Sequence, residues 1–162
     1  MKDVEYFPSV KTYQEKILLT KILLRPPLET DLPILFAQQL DPEAAAMAAF
    51  PSRDRGPFML HWEKIMKDKA VTIRVILYRG KIAGHLVCWK QEYQQEVGYW
   101  LGKEFWGKGV ASAALFEFLK LIPIRPLYSH VALHNIASRR VLEKCGFLIL
   151  DDNNREYLLK LA

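Results

Sequence analysis

Apolar residues along this chain recur with two periods, and their succession predicts alternating strands and helices. Between Lys16 and Arg25 the run Ile17, Leu18, Leu19, Ile22, Leu23, Leu24 is strand-like and stops at Pro26-Pro27. A helix is expected next, with Thr30 as N-cap and Pro33 in the first turn, where its missing N–H costs nothing. Pro42 to Phe50 is alanine-rich and reads as a helix that Pro51 ends. Phe58 to Lys69 reads as another, with Phe58, Leu60, Trp62, Ile65 and Met66 around it. Val71–Tyr78 and Lys81–Trp89 are rich in β-branched and aromatic residues, and Arg79-Gly80 between them predicts a two-residue hairpin. Glu96–Leu101 is a further strand.

The most regular segment follows. Val110, Ala111, Ala114, Leu115, Phe118, Leu119 and Ile122 recur every three to four residues, the signature of an amphipathic helix, and Pro123 and Pro126 end it. Leu127–Leu133 reads as a strand, Asn135–Lys144 as a short helix closed by Gly146, and Phe147–Leu150 with Glu156–Leu161 as a terminal strand pair. This order implies an α/β protein with a mixed sheet of about seven strands, largely antiparallel at its N-terminal end. Residues 1–15 have no clear period and are expected to form an irregular arm; 16–162 are expected to be one domain. No repeat or linker divides them.

Composition narrows the class of protein. The chain has 162 residues, 51% hydrophobic and 25% charged, the balance of an ordinary globular protein. A net charge of +5 favours anionic ligands, yet Lys and Arg are spread along the chain, with Arg53/Arg55 and Arg139/Arg140 the nearest thing to clusters. Nucleic-acid binding is therefore not expected. Cys88 and Cys145 are the only cysteines, too few for a disulfide framework, and read as free thiols in a reducing compartment. Met1–Tyr6 lacks a signal-peptide layout, and no apolar run approaches the ~18 residues of a membrane span, so a cytoplasmic location is expected.

Candidate chemistry concentrates where the third sheet strand meets the regular helix. A helix N-terminus exposes unpaired N–H groups and about half a positive charge, and so can hold an anion. Gly107 and Gly109 bracket Lys108 there, with Gly109 also free to serve merely as a packing residue. Two phosphate motifs come close and fail. Gly102–Lys108 fills the first seven places of a P-loop, but the eighth is Gly109, where Ser or Thr would ligate magnesium. A dinucleotide fingerprint fails because its third glycine is Ser112 and no acidic residue stands between Glu117 and Glu143. His130 and His134 share a predicted strand, where four residues span about 13 Å, too far for one ion. With no His-Glu-x-x-His pattern and no Cys pair at ligand spacing, no metal site is expected.

Two blocks carry a resemblance. Val97-Gly98-Tyr99-Trp100-Leu101 followed by Phe105-Trp106-Gly107-Lys108-Gly109-Val110-Ala111 resembles the acetyl-CoA-binding motif of the GNAT acetyltransferases, closest to their ribosomal-protein N-acetyltransferase-like (RimJ/RimL-type) branch. Asn135 through Phe147 resembles that branch's next signature. Both have the family's spacing, and the resemblance covers about residues 16–162. It implies a mostly antiparallel sheet flanked by four or five helices, with splayed central strands. It also implies direct acetyl transfer from acetyl-CoA to a primary amine, a peptide N-terminus or a small molecule, in a ternary complex.

Residue by residue, the resemblance puts the pyrophosphate on the amides of Trp106, Gly107, Lys108, Gly109, Val110 and Ala111. It puts the pantetheine arm along Trp100 and Leu101, with Asn135 and Ser138 near the pantetheine and sulfur. Asn135 is equally an N-cap. An amine is mostly protonated at neutral pH, so a base is needed, and Glu96 on the same strand is the candidate, directly or through water; a solvated or structural glutamate is the bland alternative. Many family members carry a tyrosine acid where this chain has Leu142, which leaves Ser138 or solvent to protonate the thiolate. Glu104 stands where Arg or Gln is common. The missing tyrosine at Leu142 keeps a second function open, a non-catalytic acyl-CoA-binding or scaffold protein. His85 is a weaker acceptor-site candidate. The N-terminal arm is open to two roles, covering the acceptor cleft or building a homodimer contact, and the acceptor is not legible.

Overall fold

The computed structural model describes residues 21–162, so the expected arm and the start of the first predicted strand lie outside the described residues. Strands are β1 (Ile22–Arg25), β2 (Thr72–Tyr78), β3 (Lys81–Gln91), β4 (Gln94–Leu101), β5 (Leu127–Ala132), β6 (Leu148–Asp152) and β7 (Glu156–Leu161). Helices are α1 (Leu32–Gln39), α2 (Pro42–Ala48), α3 (Arg55–Lys67), α4 (Val110–Leu121) and α5 (Ile136–Lys144), with short 3-10 turns at Glu29–Asp31 and Lys103–Phe105. The seven strands form one sheet in the order β1-β2-β3-β4-β5-β7-β6. Neighbours are antiparallel throughout except β4 and β5, which run parallel. The expected mixed, mostly antiparallel sheet with five helices is what forms.

Local chemistry explains most element limits. Arg79 and Gly80 both take positive φ, 51° and 79°, as the two-residue hairpin requires. The β3–β4 turn is built on Glu92 at φ 53°, with no glycine or asparagine to mark it, and both strands consequently run two residues further into it than the pattern predicts. Thr30 does not cap α1. A 3-10 turn precedes that helix, and buried Asp31 holds it by accepting from the Leu28 amide at 2.7 Å and from Arg25 at 2.7 and 2.8 Å. That bidentate pair holds the Asp31 carboxyl below the usual carboxylate range. Helix α3 begins at Arg55 rather than Phe58, since Pro57 fits inside a first turn.

The sheet carries a core on each face. On one, α4, α5 and the turn after α5 bury Phe118, Leu115, Leu142 and Phe147 against Val97, Leu86 and Leu159. Each such side chain contributes roughly 1.5–3 kcal/mol on burial, which explains why the most periodic segment lies across the middle of the sheet. On the other face α1 and α3 bury Leu32, Leu35, Phe58 and Trp62 against Ile73 and Val75. Successive β4 residues alternate between these faces. Val97, Tyr99 and Leu101 look toward α4 and α5; Glu96, Gly98 and Trp100 look toward α1 and α3.

Candidate active site

Strands β4 and β5 touch through a single pairing, Glu96 with Tyr128, at their N-terminal ends. Just above it the Ser129 hydroxyl donates to the Val97 carbonyl at 2.9 Å, a side chain standing where a main-chain rung would be. Beyond that point the strands part. Main-chain groups alternate in direction along a strand, so with Val97 facing β5, Tyr99 and Leu101 face the gap and Trp100 pairs with His85 on β3. The Leu101 carbonyl is taken by the Trp106 indole N–H at 2.9 Å. The Tyr99 amide and carbonyl and the Leu101 amide remain unpaired in the gap, among the described residues. Of the two strand positions expected to serve the pantetheine, Leu101 therefore presents its main chain to the gap and Trp100 does not. Tyr99, two residues from Val97, shares the parity of Leu101.

The turn into α4 offers a denser array. Gly107 and Gly109 take φ 72° and 74°, which L side chains adopt only with strain. Glycine here lets the chain turn sharply so that consecutive N–H groups face one side. The Trp106 amide is already spent on the Lys103 carbonyl at 3.1 Å, and the first helical bond of α4 runs from Ala113 to Gly109 at 3.2 Å. Between them the amides of Gly107, Lys108, Gly109, Val110, Ala111 and Ser112 donate to no acceptor among the described residues. The open run thus starts one residue later than the sequence suggests and ends one later.

Two cavities meet at the parted strands. The first, about 490 Å³, runs from the glycine turn along α5. The second, about 620 Å³, lies on the α1/α3 face. They share Ala48, Tyr99, Trp100, Asn135 and Ser138, so the gap between β4 and β5 is the passage from one to the other. Helix α2 roofs this passage. It is tied to one bank by the Glu43–Lys103 ion pair and to the other by His134 Nε2 against the Ala46 carbonyl at 2.8 Å.

Titratable groups flank the passage on both sides. Glu96 is 3% exposed and contacts His130 Nε2 at 3.3 Å, while His130 Nδ1 lies 3.0 Å from a Glu156 oxygen. Burial raises the Glu96 pKa, and His130 offsets this only in part. His130 lines the second cavity, so Glu96 reaches that cavity's wall through an imidazole that faces a carboxylate at each nitrogen. His130 is the residue sequence reasoning passed over, having tested it only for metal. Among the described residues no group of three or more His, Cys, Asp or Glu is placed to hold a metal ion.

On the opposite face the Tyr99 hydroxyl and Ser138 Oγ are 2.9 Å apart. Burial pushes the Tyr99 phenol up to about 12, against the lowering effect of the Ser138 hydrogen bond. Asn135 caps α5 by accepting from the Ser138 amide at 3.2 Å, which leaves its NH₂ end for other partners. Leu142 is 2% exposed in the core. Leucine has no proton to donate, whereas Tyr99 brings a hydroxyl to Ser138 from the strand. Lys108 is exposed above the Phe105 ring, and His85 stacks edge-on against Trp62, its ring kept neutral by burial with a pKa of about 4.

Residues 21–148 match the acetyltransferase (GNAT) domain family. No curated protein sequence matches the chain. Among solved structures, a GNAT-family acetyltransferase from Bacillus anthracis superposes with a TM-score of 0.76 at 19% identity, covering 87% of this chain and 94% of that one. The spermidine N-acetyltransferase from Vibrio cholerae, in complex with CoA and spermine, gives 0.73 at 18% identity, covering 87% and 94%. The microcin C7 self-immunity acetyltransferase, in complex with acetyl-CoA and AMP, gives 0.71 at 20%, covering 88% and 92%. At these identities the likeness is one of fold.

Proposed function

This chain belongs to the GNAT acetyltransferase family, and from that premise we propose that it transfers an acetyl group from acetyl-CoA to a primary amine by direct attack in a ternary complex. One observation carries the reading. The passage between the parted strands joins a cavity headed by six unspent amides to a second cavity lined by His130, behind which the Glu96 carboxylate is buried. We further take residues 16–162 as one acetyltransferase domain of the ribosomal-protein N-acetyltransferase-like branch, working in the cytoplasm; the block Asn135–Phe147 supports that branch.

The amides of Gly107 through Ala111 hold the pyrophosphate, helped by the positive end of α4 and the Lys108 ammonium. Tyr99 and Leu101 offer the pantetheine arm main-chain partners, and the Asn135 amide reaches it from α5. Acetyl-CoA supplies an activated acyl group whose C–S bond breaks as the new N–C bond forms. An unpaired strand amide in the gap donates to the developing oxyanion.

An alkylammonium acceptor sheds two protons in becoming an amide. Glu96 takes the first, directly or through water, and passes it through His130, which receives at Nε2 and releases at Nδ1 toward Glu156 and solvent. The second is balanced by the proton that Tyr99, hydrogen-bonded to Ser138, gives to the departing thiolate. Leu142 invites the alternative of a non-catalytic acyl-CoA-binding protein; the Tyr99 hydroxyl favours the enzyme.

Calorimetric titration with CoA, followed by thiol release from acetyl-CoA in the presence of amines, tests the reading. Micromolar CoA binding and amine-dependent thiol release are expected. Absence of CoA binding overturns the assignment, and binding with no amine-dependent release from any amine class selects the non-catalytic alternative.

A further inference from the structure

Resting on that reading of the passage, we propose that the second cavity takes an amine built on a flat aromatic or apolar body and ending in an anionic group, which Arg53 binds. The wall is aromatic, contributed by Phe50, Phe58, Trp62, Trp89 and Trp100. Such rings stack on a flat apolar body and exclude water from it. A polycation, by contrast, needs carboxylates spaced along its path. The charged side chains on this lining, apart from its histidines, are Arg53, Lys90 and Asp68. Asp68 is an exposed carboxylate already accepting from the Ala70 amide at 2.9 Å. Glu96 is buried behind His130. A second ammonium on the acceptor would therefore meet two cations against the single exposed carboxylate of Asp68.

Arg53 is held as a binding residue is held. The Gln39 side chain bonds both of its main-chain groups, accepting from the Arg53 amide at 2.8 Å and donating to its carbonyl at 2.9 Å. Ser52 Oγ adds a third tie, to the Gln39 carbonyl at 2.9 Å. These bonds fix a segment with no regular structure against the end of α1. The guanidinium lies over the Phe50 ring, 5.1 Å from its centroid, an arrangement that orients the group and leaves its in-plane N–H donors open. Among the described residues no carboxylate lies within ion-pair distance of it. A fork of open donors at the edge of an aromatic cavity matches a carboxylate or a phosphate. His61, beside it, is shifted toward the neutral form by burial and by Arg53 itself, so it does not compete for the anion.

The test compares 4-(2-aminoethyl)benzoate with 2-phenylethylamine and spermidine, using the full chain. Each amine is titrated calorimetrically against the CoA-loaded protein, and kcat/KM for acetylation is measured alongside. The benzoate is expected to bind at least about tenfold tighter than either other amine, the size of one charge-assisted bidentate contact. Arg53→Gln, which keeps every main-chain tie to Gln39, is expected to erase that margin while leaving 2-phenylethylamine and CoA binding unchanged; Arg53→Lys restores part of it. Tighter binding of spermidine, no binding of the benzoate, or a margin that survives Arg53→Gln overturns the proposal. None of those outcomes touches the cofactor reading, which falls only if CoA itself fails to bind.

Discussion

Two buried carboxylates show how neighbours set the behaviour of one residue type. Asp31 is paired with a guanidinium through two short bonds and is held ionised; Glu96, with only an imidazole beside it, is pushed the other way by burial. Glu96 works as a base only when ionised, and its raised pKa moves that form to higher pH. The rate is therefore expected to climb with pH through a limb displaced above the ordinary carboxylate range. Tyr99, at about 12, stays protonated throughout and adds no alkaline fall. Glu96→Gln is expected to lower kcat roughly 100-fold and to abolish the limb, and Tyr99→Phe to cost about 10–100-fold without moving it. A Glu96→Gln enzyme with both rate and limb intact would place the base elsewhere. Glu96 was legible in the sequence because it shares a strand with the first motif. His130 and Tyr99 were not, since one depends on a contact from β5 and the other on which face of β4 an odd position meets.

At the scale of elements, periodicity read the strands and helices well, and the misses fall where tertiary contacts override local signals. Thr30 looked like a cap, but Arg25 fastens Asp31 into a 3-10 turn instead. Nothing local could show that β4 and β5 part, because parting is a relation between strands more than twenty residues apart. Two glycines beside this gap make a controlled pair. A Cβ on Gly84 would collide with the Trp100 carbonyl oxygen of β4, a rigid main-chain atom. One on Gly98 would only touch the Trp89 ring, at 3.5 Å. Gly84→Ala is expected to destabilise the fold by about 2–4 kcal/mol in urea unfolding, as overpacking against backbone does, and to weaken CoA binding by displacing β4. Gly98→Ala is expected to stay within about 1 kcal/mol of the parent and to act on the acceptor, whose cavity it lines. Equal losses from the two substitutions would mean that β4 is not pinned as its register implies.

Across the whole molecule, the sheet is one in its order of strands but not in its bonding. β1 to β4 are laddered together, β5 to β7 likewise, and the two groups are joined by one main-chain pairing, the Ser129 hydroxyl and the Glu96–His130 contact. Most of the cohesion across that line is the packing of α4 and α5 over it, contacts that resist separation without fixing direction, supplemented by the Tyr99–Ser138 bond and the two ties of α2. A ligand strung along the gap supplies the missing rungs, so the molecule behaves as two pieces sharing a mortar. Severed between Pro123 and Pro126, which end α4 ahead of β5, the two fragments should reassociate on mixing, and CoA should tighten their complex by about tenfold or more through linkage. Fluorescence anisotropy of the labelled shorter fragment measures this. An affinity indifferent to CoA would mean that the bond between the pieces owes nothing to what lies between them.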